Sequence, residues 1–191
     1  MNPLIYRPIK SPYITQRFGE NLLPLYKELG MLGHNGIDII CWRGEPVYHS
    51  GLYIGVAKTE TDQAGGIGVD IISQTPLVDN DYIKLRYWHL QKVNVYDGQI
   101  IHPGDLIGWG DSTGYSSGDH LHFGFKRCYA DGKPINPSNG YFGAEDPLIY
   151  SDNFPTGFIF ILDYLGMKQR LTMLQKLIEI YSKLISLLKS R

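Results

Sequence analysis

Short apolar runs separated by turn residues recur through the first two thirds of the chain, and this punctuation restricts the fold more than any other feature. Pro46 to His49, Leu52 to Ala57, Ile67 to Ile72 and Tyr82 to Leu90 are each four to nine residues long. Glycine and Asp-Asn-Asp turns stand between them, as at Gly65, Gly66 and Gly68 and at Asp79 to Asp81. Runs so short, with 22 Gly and 11 Pro in 191 residues, exclude a helical bundle and predict an all-β, antiparallel domain. Within Tyr82 to Leu90, strict alternation sets Tyr82, Lys84, Arg86 and Trp88 on one face. Ile83, Leu85, Tyr87 and His89 fall on the other, so alternation alone makes His89 a core residue. Residues 4 to 18 read as an edge strand or extended lead-in. Residues 20 to 32 read as a short helix after Pro24 or a loop packed over the domain, placed to wall a cleft. Pro103-Gly104 separates two more short strands, and Lys126 to Tyr150 has the composition of a loop that leaves the sheet and wraps.

The chemistry concentrates in two stretches. Gly110 to Phe125, GDSTGYSSGDHLHFGF, carries His120 and His122 one residue apart, which on a strand places both imidazoles on one face and Leu121 on the other. The Gly, Ser, Thr and Asp residues before them form a loop, so the pair sits where a strand emerges at the surface. Gly33 to Ile40, GHNGIDII, holds His34 and Asp38, with Asp38 facing away from Ile37 and Ile39 on an otherwise apolar strand. A carboxylate there needs a partner. His34, Asp38 and His122 together supply two imidazoles and one carboxylate, a set that suits one zinc ion per chain and leaves a fourth position for water. Two further imidazoles, His89 and His120, then remain free to move protons. Spacing alone does not distinguish His120 from His122. His49 and His102 stand beside turns without partners at ligand spacing and are read as structural or surface residues. Cys41 and Cys128 are too few for a disulfide scaffold or a thiolate site and are read as thiols.

Gly33-His34-x-Gly36-x-Asp38, Gly44-x-Pro46-Val47 with Gly51, Tyr87-x-His89-Leu90, Pro103-Gly104-Asp105-x-Ile107-Gly108, and Gly110-x-Ser112-Thr113-Gly114 with Ser117-Gly118-x-His120-Leu121-His122-Phe123 follow one another in order. Taken together they resemble the lysostaphin/LytM-type zinc metallopeptidases, which cut peptide bonds in bacterial peptidoglycan. The resemblance spans about Ile14 to Phe125. It implies an antiparallel β domain with a groove, zinc on His34, Asp38 and His122, and catalytic histidines at His89 and His120. The substrate it implies is a peptidoglycan stem peptide or cross-bridge. A phage-type endolysin or virion-associated lysin is one form such an enzyme takes. The alternative is a non-catalytic relative that binds wall or regulates another hydrolase, and such relatives lose metal ligands that this chain keeps. Asp119 and Gly124 stand where many relatives have proline and glutamate, which predicts altered groove shape or charge.

Residues 1–150 are therefore read as the peptidase domain, 151–166 as a linker and 167–191 as an amphipathic helix. In that last segment Met167, Leu171, Leu174, Ile178, Tyr181, Ile185 and Leu188 follow heptad steps, a coiled-coil-like seam of about three heptads. So short a seam must bury its stripe on something. Self-association or docking on a partner ranks ahead of lying on an anionic membrane or wall surface, because the tail lacks Trp. From Lys168 onward six basic residues face Glu179 alone, so the chain before them carries about −6 of a total of −1. A body that acidic argues against nucleic acid as a partner. The first residues, MNPLIYRPIK, lack the apolar core of a Sec-type signal, and no apolar run approaches the ~20 residues of a membrane span. Action at the bacterial cell envelope then requires synthesis in the cytoplasm followed by lysis, injection or non-Sec export.

Overall fold

A computed structural model describes residues 4–151, together with Ile178, Ile180 and Tyr181, which are helical and exposed. The linker and the heptad seam expected beyond Tyr150 otherwise lie outside the described residues. Ten strands and one short helix make up the described fold: β1 (Ile14–Gln16), α1 (Leu25–Glu28), β2 (Ile37–Ile40), β3 (Pro46–Tyr48), β4 (Gly55–Asp62), β5 (Gly66–Ser73), β6 (Tyr82–Val93), β7 (Ile100–Ile101), β8 (Leu106–Gly110), β9 (His120–Cys128) and β10 (Ala144–Glu145). A 3-10 turn at Pro147–Tyr150 follows. All pairings are antiparallel, in the order β1-β2-β9-β6-β5-β4-β7, with β10 on β9 and β8 joining β3 to β6.

One face of this sheet is apolar and closed. Ile37 and Ile39 of β2, Leu121, Phe123 and Phe125 of β9, Ile83, Leu85 and Tyr87 of β6, and Val69 and Ile71 of β5 are fully buried there, packed with Ile5, Ile9, Val47, Ile101 and Ile107. Beneath the sheet lies one polar hub. The Nε2–H of His49 donates to the carbonyl of Tyr53 at 2.9 Å, and the Tyr87 hydroxyl lies 3.2 Å from His49 Nδ1. The same hydroxyl accepts from the amide of Ser50 at 3.1 Å. His49 is therefore a structural histidine, as its turn position predicts. Cys41 and Cys128 are both free and buried.

Three expectations need correction. The second run, Leu52 to Ala57, is β4, which begins at Gly55, not Leu52, and continues through five polar or charged residues to Asp62, because its backbone pairs residue by residue with β5 whatever its side chains are. The stretch after Lys126 does not leave the sheet at once. Lys126, Arg127 and Cys128 extend β9 against Tyr82, Ile83 and Lys84, and β10 returns to pair with Lys126 and Phe125. Most consequential is His89. Val69 pairs with Tyr87 but Ile67 pairs with Leu90, so Gly68 alone opposes both Trp88 and His89. This bulge, with His89 at φ 63°, turns His89 off the core face, so that Trp88 and His89 both point to the opposite side.

The neutral His49 hub carries a pH signature. Burial pushes this imidazole down to about 4 in the folded protein, against an ordinary value near 6.5. Stability linked to it is present above pH 6.5 and is lost as pH falls from there toward 4, because the unfolded chain takes up the proton first. The expected loss is roughly 3 kcal/mol across that window. Urea unfolding at a series of pH values should show a shallower acid slope for His49→Gln than for the parent chain.

Candidate active site

The face opposite the core carries a groove of about 1000 Å³. Leu22 to Leu29, including α1, form one wall and Tyr115 to Asp119 the other, so the ambiguous segment after Glu20 does serve as a cleft wall. On the floor, β2 and β9 pair with Asp38 directly opposite His122, and β6 adds Trp88 across from His122 on the other side. His34 reaches the same point from the turn before β2, where its backbone is held by Glu20 and Gly19.

Three ligand-type atoms converge there. His34 Nε2 lies 2.9 Å from His122 Nδ1, and each is 3.1 Å from Asp38 Oδ1. His34 Nδ1 faces the carbonyl of Arg17 at 3.3 Å, which can only accept, so the proton sits on Nδ1 and Nε2 is bare. Burial pushes His122 down to about 4, partly offset by its hydrogen bond to Asp38. Burial would raise the Asp38 carboxyl, but its hydrogen bonds to His122 and His34 outweigh that and hold it well below the usual carboxylate range. A neutral His122 imidazole, the Nε2 of His34 and the Asp38 carboxylate thus converge, and one imidazole proton cannot satisfy all the lone pairs that meet. A cation satisfies them together. The separations are close to the roughly 3.3 Å expected between ligands on ~2 Å bonds about a tetrahedral ion, so the residues fit zinc.

His89 and His120 flank this cluster, with ring centroids 4.6 Å apart. His89 Nδ1–H donates to the carbonyl of Thr113 at 2.6 Å, and His120 Nδ1–H to that of Gly118 at 2.8 Å. Both Nε2 atoms are left without a proton, and that of His120 lies 3.6 Å from Asp38 Oδ2. Burial, and then the neighbouring His120, lower the pKa of His89. Thr113 explains why the loop before His120 matters. Its hydroxyl accepts from the amide of Ile67 at 3.1 Å and donates to the carbonyl of Leu90 at 2.8 Å, clamping the loop to the β6 bulge.

All five sequence-predicted residues thus meet in one groove. Three further groups line it that sequence reasoning did not assign. Trp88 lies over Gly65 and Gly68, where an added Cβ would come within 2.0 and 2.4 Å of the indole. Arg86 lines the groove beside it, and alternation did place both on the non-core face. Gln16 shows no signal in the sequence. Its Oε1 accepts from Tyr26 at 2.9 Å, while its buried Nε2 finds no partner among the described residues.

A family model described as peptidase family M23 matches residues 32–137, more than half of the chain and including all five residues. The chain belongs to peptidase family M23. Members of this family are zinc metalloenzymes. Lysostaphin from Staphylococcus simulans is 35% identical over 107 residues, which are 56% of this chain and 20% of that protein. Peptidoglycan DD-endopeptidase ShyA from Vibrio cholerae is 35% identical over 103 residues, 54% of this chain and 22% of its own length. This chain therefore spans about a fifth of the curated relatives it matches. Among solved structures, the catalytic domain of the antimicrobial peptidase lysostaphin from Staphylococcus simulans superimposes with a TM-score of 0.56 at 27% identity, covering 72% of this chain and 90% of that one. The two departures from the motif lie on the groove rim and floor: Asp119 Oδ1 is 3.8 Å from an Arg43 amino group, and Gly124 lies beneath Arg86.

Gly36 shows how tightly this M23 site is packed. A Cβ there would sit 2.7 Å from His122 Cε1, 2.8 Å from His122 Nε2 and 2.7 Å from the carbonyl of Phe123. Since the carbonyl belongs to a core strand, the imidazole must give way. Gly36→Ala is expected to lower zinc affinity by 10-fold or more, of the order seen when a ligand's supports are disturbed. Competition with a chromogenic chelator measures it, and an unchanged affinity would show that the ring has room to shift.

Proposed function

We propose that residues 1–150 form a zinc endopeptidase domain that hydrolyses peptide bonds in bacterial peptidoglycan stem peptides or cross-bridges, acting at the cell envelope. The observation that carries this reading is the convergence of His34 Nε2, Asp38 Oδ1 and His122 Nδ1 within 3.1 Å of one another, beside two imidazoles with bare Nε2 atoms. His34, Asp38 and His122 would hold one zinc ion. Bound there, zinc supplies Lewis-acid activation of a water and of the scissile carbonyl.

The remaining work falls to the protein's own groups. A bare Nε2 of His89 or His120 accepts a proton from the attacking water as the new C–O bond forms. The resulting imidazolium gives that proton to the leaving amine as the C–N bond breaks. Thr113 and Gly118 carbonyls hold the Nδ1–H of each ring, which keeps both rings aimed at the groove and steadies their charged forms. The second imidazole, when protonated, opposes charge developing on the carbonyl oxygen. Support for the substrate comes from the relatives' names, lysostaphin and a peptidoglycan DD-endopeptidase, and from a groove of about 1000 Å³ over the five residues. No helix among the described residues is long and apolar enough to cross a membrane. A regulatory, non-catalytic role is disfavoured because no ligand or flanking histidine is missing.

Digestion of purified peptidoglycan, with mass spectrometry of the fragments, tests the reading. New amino termini should appear with zinc and vanish after chelation, and their masses identify the bond. His122→Ala is expected to lose both zinc and turnover. His120→Ala should retain zinc by metal analysis while kcat falls by about 10²–10⁴-fold. Zinc-loaded parent protein that releases nothing would reject the enzyme.

A further inference from the structure

The groove floor continues past Trp88 into a basic patch. Lys84 and Arg86 of β6 share the face of Trp88, and Lys126 of β9 shares that of His122, with Gly124 between. Lys84 pairs across the strands with Lys126, and Arg86 with Gly124. Asp70 of β5 is buried among them and accepts from Arg86 Nε and Trp88 Nε1, both at 3.0 Å, with Lys84 Nζ at 3.6 Å. Lys126 Nζ donates to the carbonyl of Phe142 at 2.7 Å. One strand further out, Glu60 is taken up by Lys58 at 2.5 Å. On this stretch of the face, Lys58, Lys84, Arg86 and Lys126 therefore stand against three carboxylates, Glu60, Asp62 and Asp70. Burial, and then the neighbouring Arg86 and Lys84, push Lys126 down to about 7.

Arg86 is the member of this patch that lines the groove. Asp70 grips its Nε, and its Cζ lies 4.6 Å from the centre of the Trp88 ring. Held at its inner edge and along one face, the guanidinium keeps its terminal amino groups for a ligand, in the fork geometry that matches a carboxylate. Gly124 leaves the stem uncovered: a Cβ there would make ordinary contacts with Arg86 Cβ, Cγ and Cδ at 3.4, 3.6 and 3.7 Å.

We propose that Arg86 is an anion subsite of the groove, selecting peptides that place a free carboxylate within about two residues of the scissile bond. The distance follows from strand geometry. Arg86 is two positions from Trp88, roughly 7 Å along β6, and Trp88 is in the row of His122. An extended peptide covers that in about two residues. The carboxylate comes either from a side chain or from the peptide's C-terminus, and both present the same two oxygens. This inference rests on the peptidase reading above.

The test uses the zinc-loaded protein and a synthetic peptidoglycan stem peptide joined to its cross-bridge, made in four forms with the side-chain and C-terminal carboxylates each free or amidated. Amidating the recognised carboxylate is expected to lower kcat/KM by roughly 10-fold or more, chiefly through KM, and the sensitive position identifies the source. The preference should weaken as salt rises. Gly124→Glu sets a competing carboxylate against Arg86 without removing Arg86 or its bond to Asp70, and should abolish the preference. Gly124→Gln, equal in size and neutral, should keep it, and in Arg86→Gln the free-to-amidated ratio should approach one. Equal kcat/KM for all four forms in the parent protein, or equal preference in the Glu and Gln variants, would overturn the subsite. If no form is hydrolysed, the peptidase reading fails separately. Calorimetric binding of the same four peptides to the parent and Gly124→Glu proteins then decides the subsite, and equal affinities would reject it.

Discussion

Backbone pairing of β2 with β9 sets Asp38 opposite His122, and most of what this protein can do depends on that register. The same ladder aligns Ile37 with Phe123 and Ile39 with Leu121 on the core face, so the apolar residues and the ligand residues are locked by one set of hydrogen bonds. Because side chains alternate, a slip of one residue would drive His122 into the core and Phe123 into the groove. The free energy that holds the register is therefore mainly that of burying Phe123, Leu121 and their neighbours. Polar residues at the site ride on a constraint that hydrophobic packing enforces.

The strand on the other side of β9 solves a different problem. β6 pairs with β9 through Trp88, then with β8 from Leu90 onward. At the change of partner the chain inserts one extra residue and passes through a left-handed conformation at His89. Tyr87 can then point down to the His49 hub while Trp88 and His89 both point up. Such a conformation is costly for a residue with a Cβ, and it persists because the surroundings over-determine it. Thr113 ties both strands flanking the bulge and also receives the His89 Nδ1–H. Ring orientation and backbone distortion are thus fixed by the same loop residue.

Charge along the groove is graded. Around Asp38 and His122 the environment holds the imidazole neutral and the carboxylate ionised, the protonation states that metal binding requires. Two strand positions further along β6, Arg86, Lys84 and Lys126 outnumber Asp70. Trp88 lies between the two regions and is tied to the second through its Nε1–H on Asp70. A groove with a metal-binding centre and a cationic flank can choose among peptides by their charge without any change in the reacting groups.

Much of this was legible in the chain itself. Turn residues between short apolar runs determined an antiparallel β fold. The placements of His34, Asp38, His120 and His122 followed from alternation and from loop composition, since a period of two needs only local information. Motif resemblance added the division of roles between His120 and His122, which spacing left open. What alternation could not reveal was the position of His89. A bulge depends on the partner strand, here on Gly68 being small enough for Trp88 to lie across it, and that pairing is not written in β6. Gln16 was likewise decided by tertiary structure, because it reaches the groove through long-range packing; residues 22–29 were expected to wall a cleft, and only the choice of a short helix over a loop was left to the fold. The basic flank was half visible: Lys84 and Arg86 were assigned to one face, but Lys126 and Asp70 join them only through the register of three strands. Sequence alone determined which residues alternate; the pairing of strands decided which of them meet.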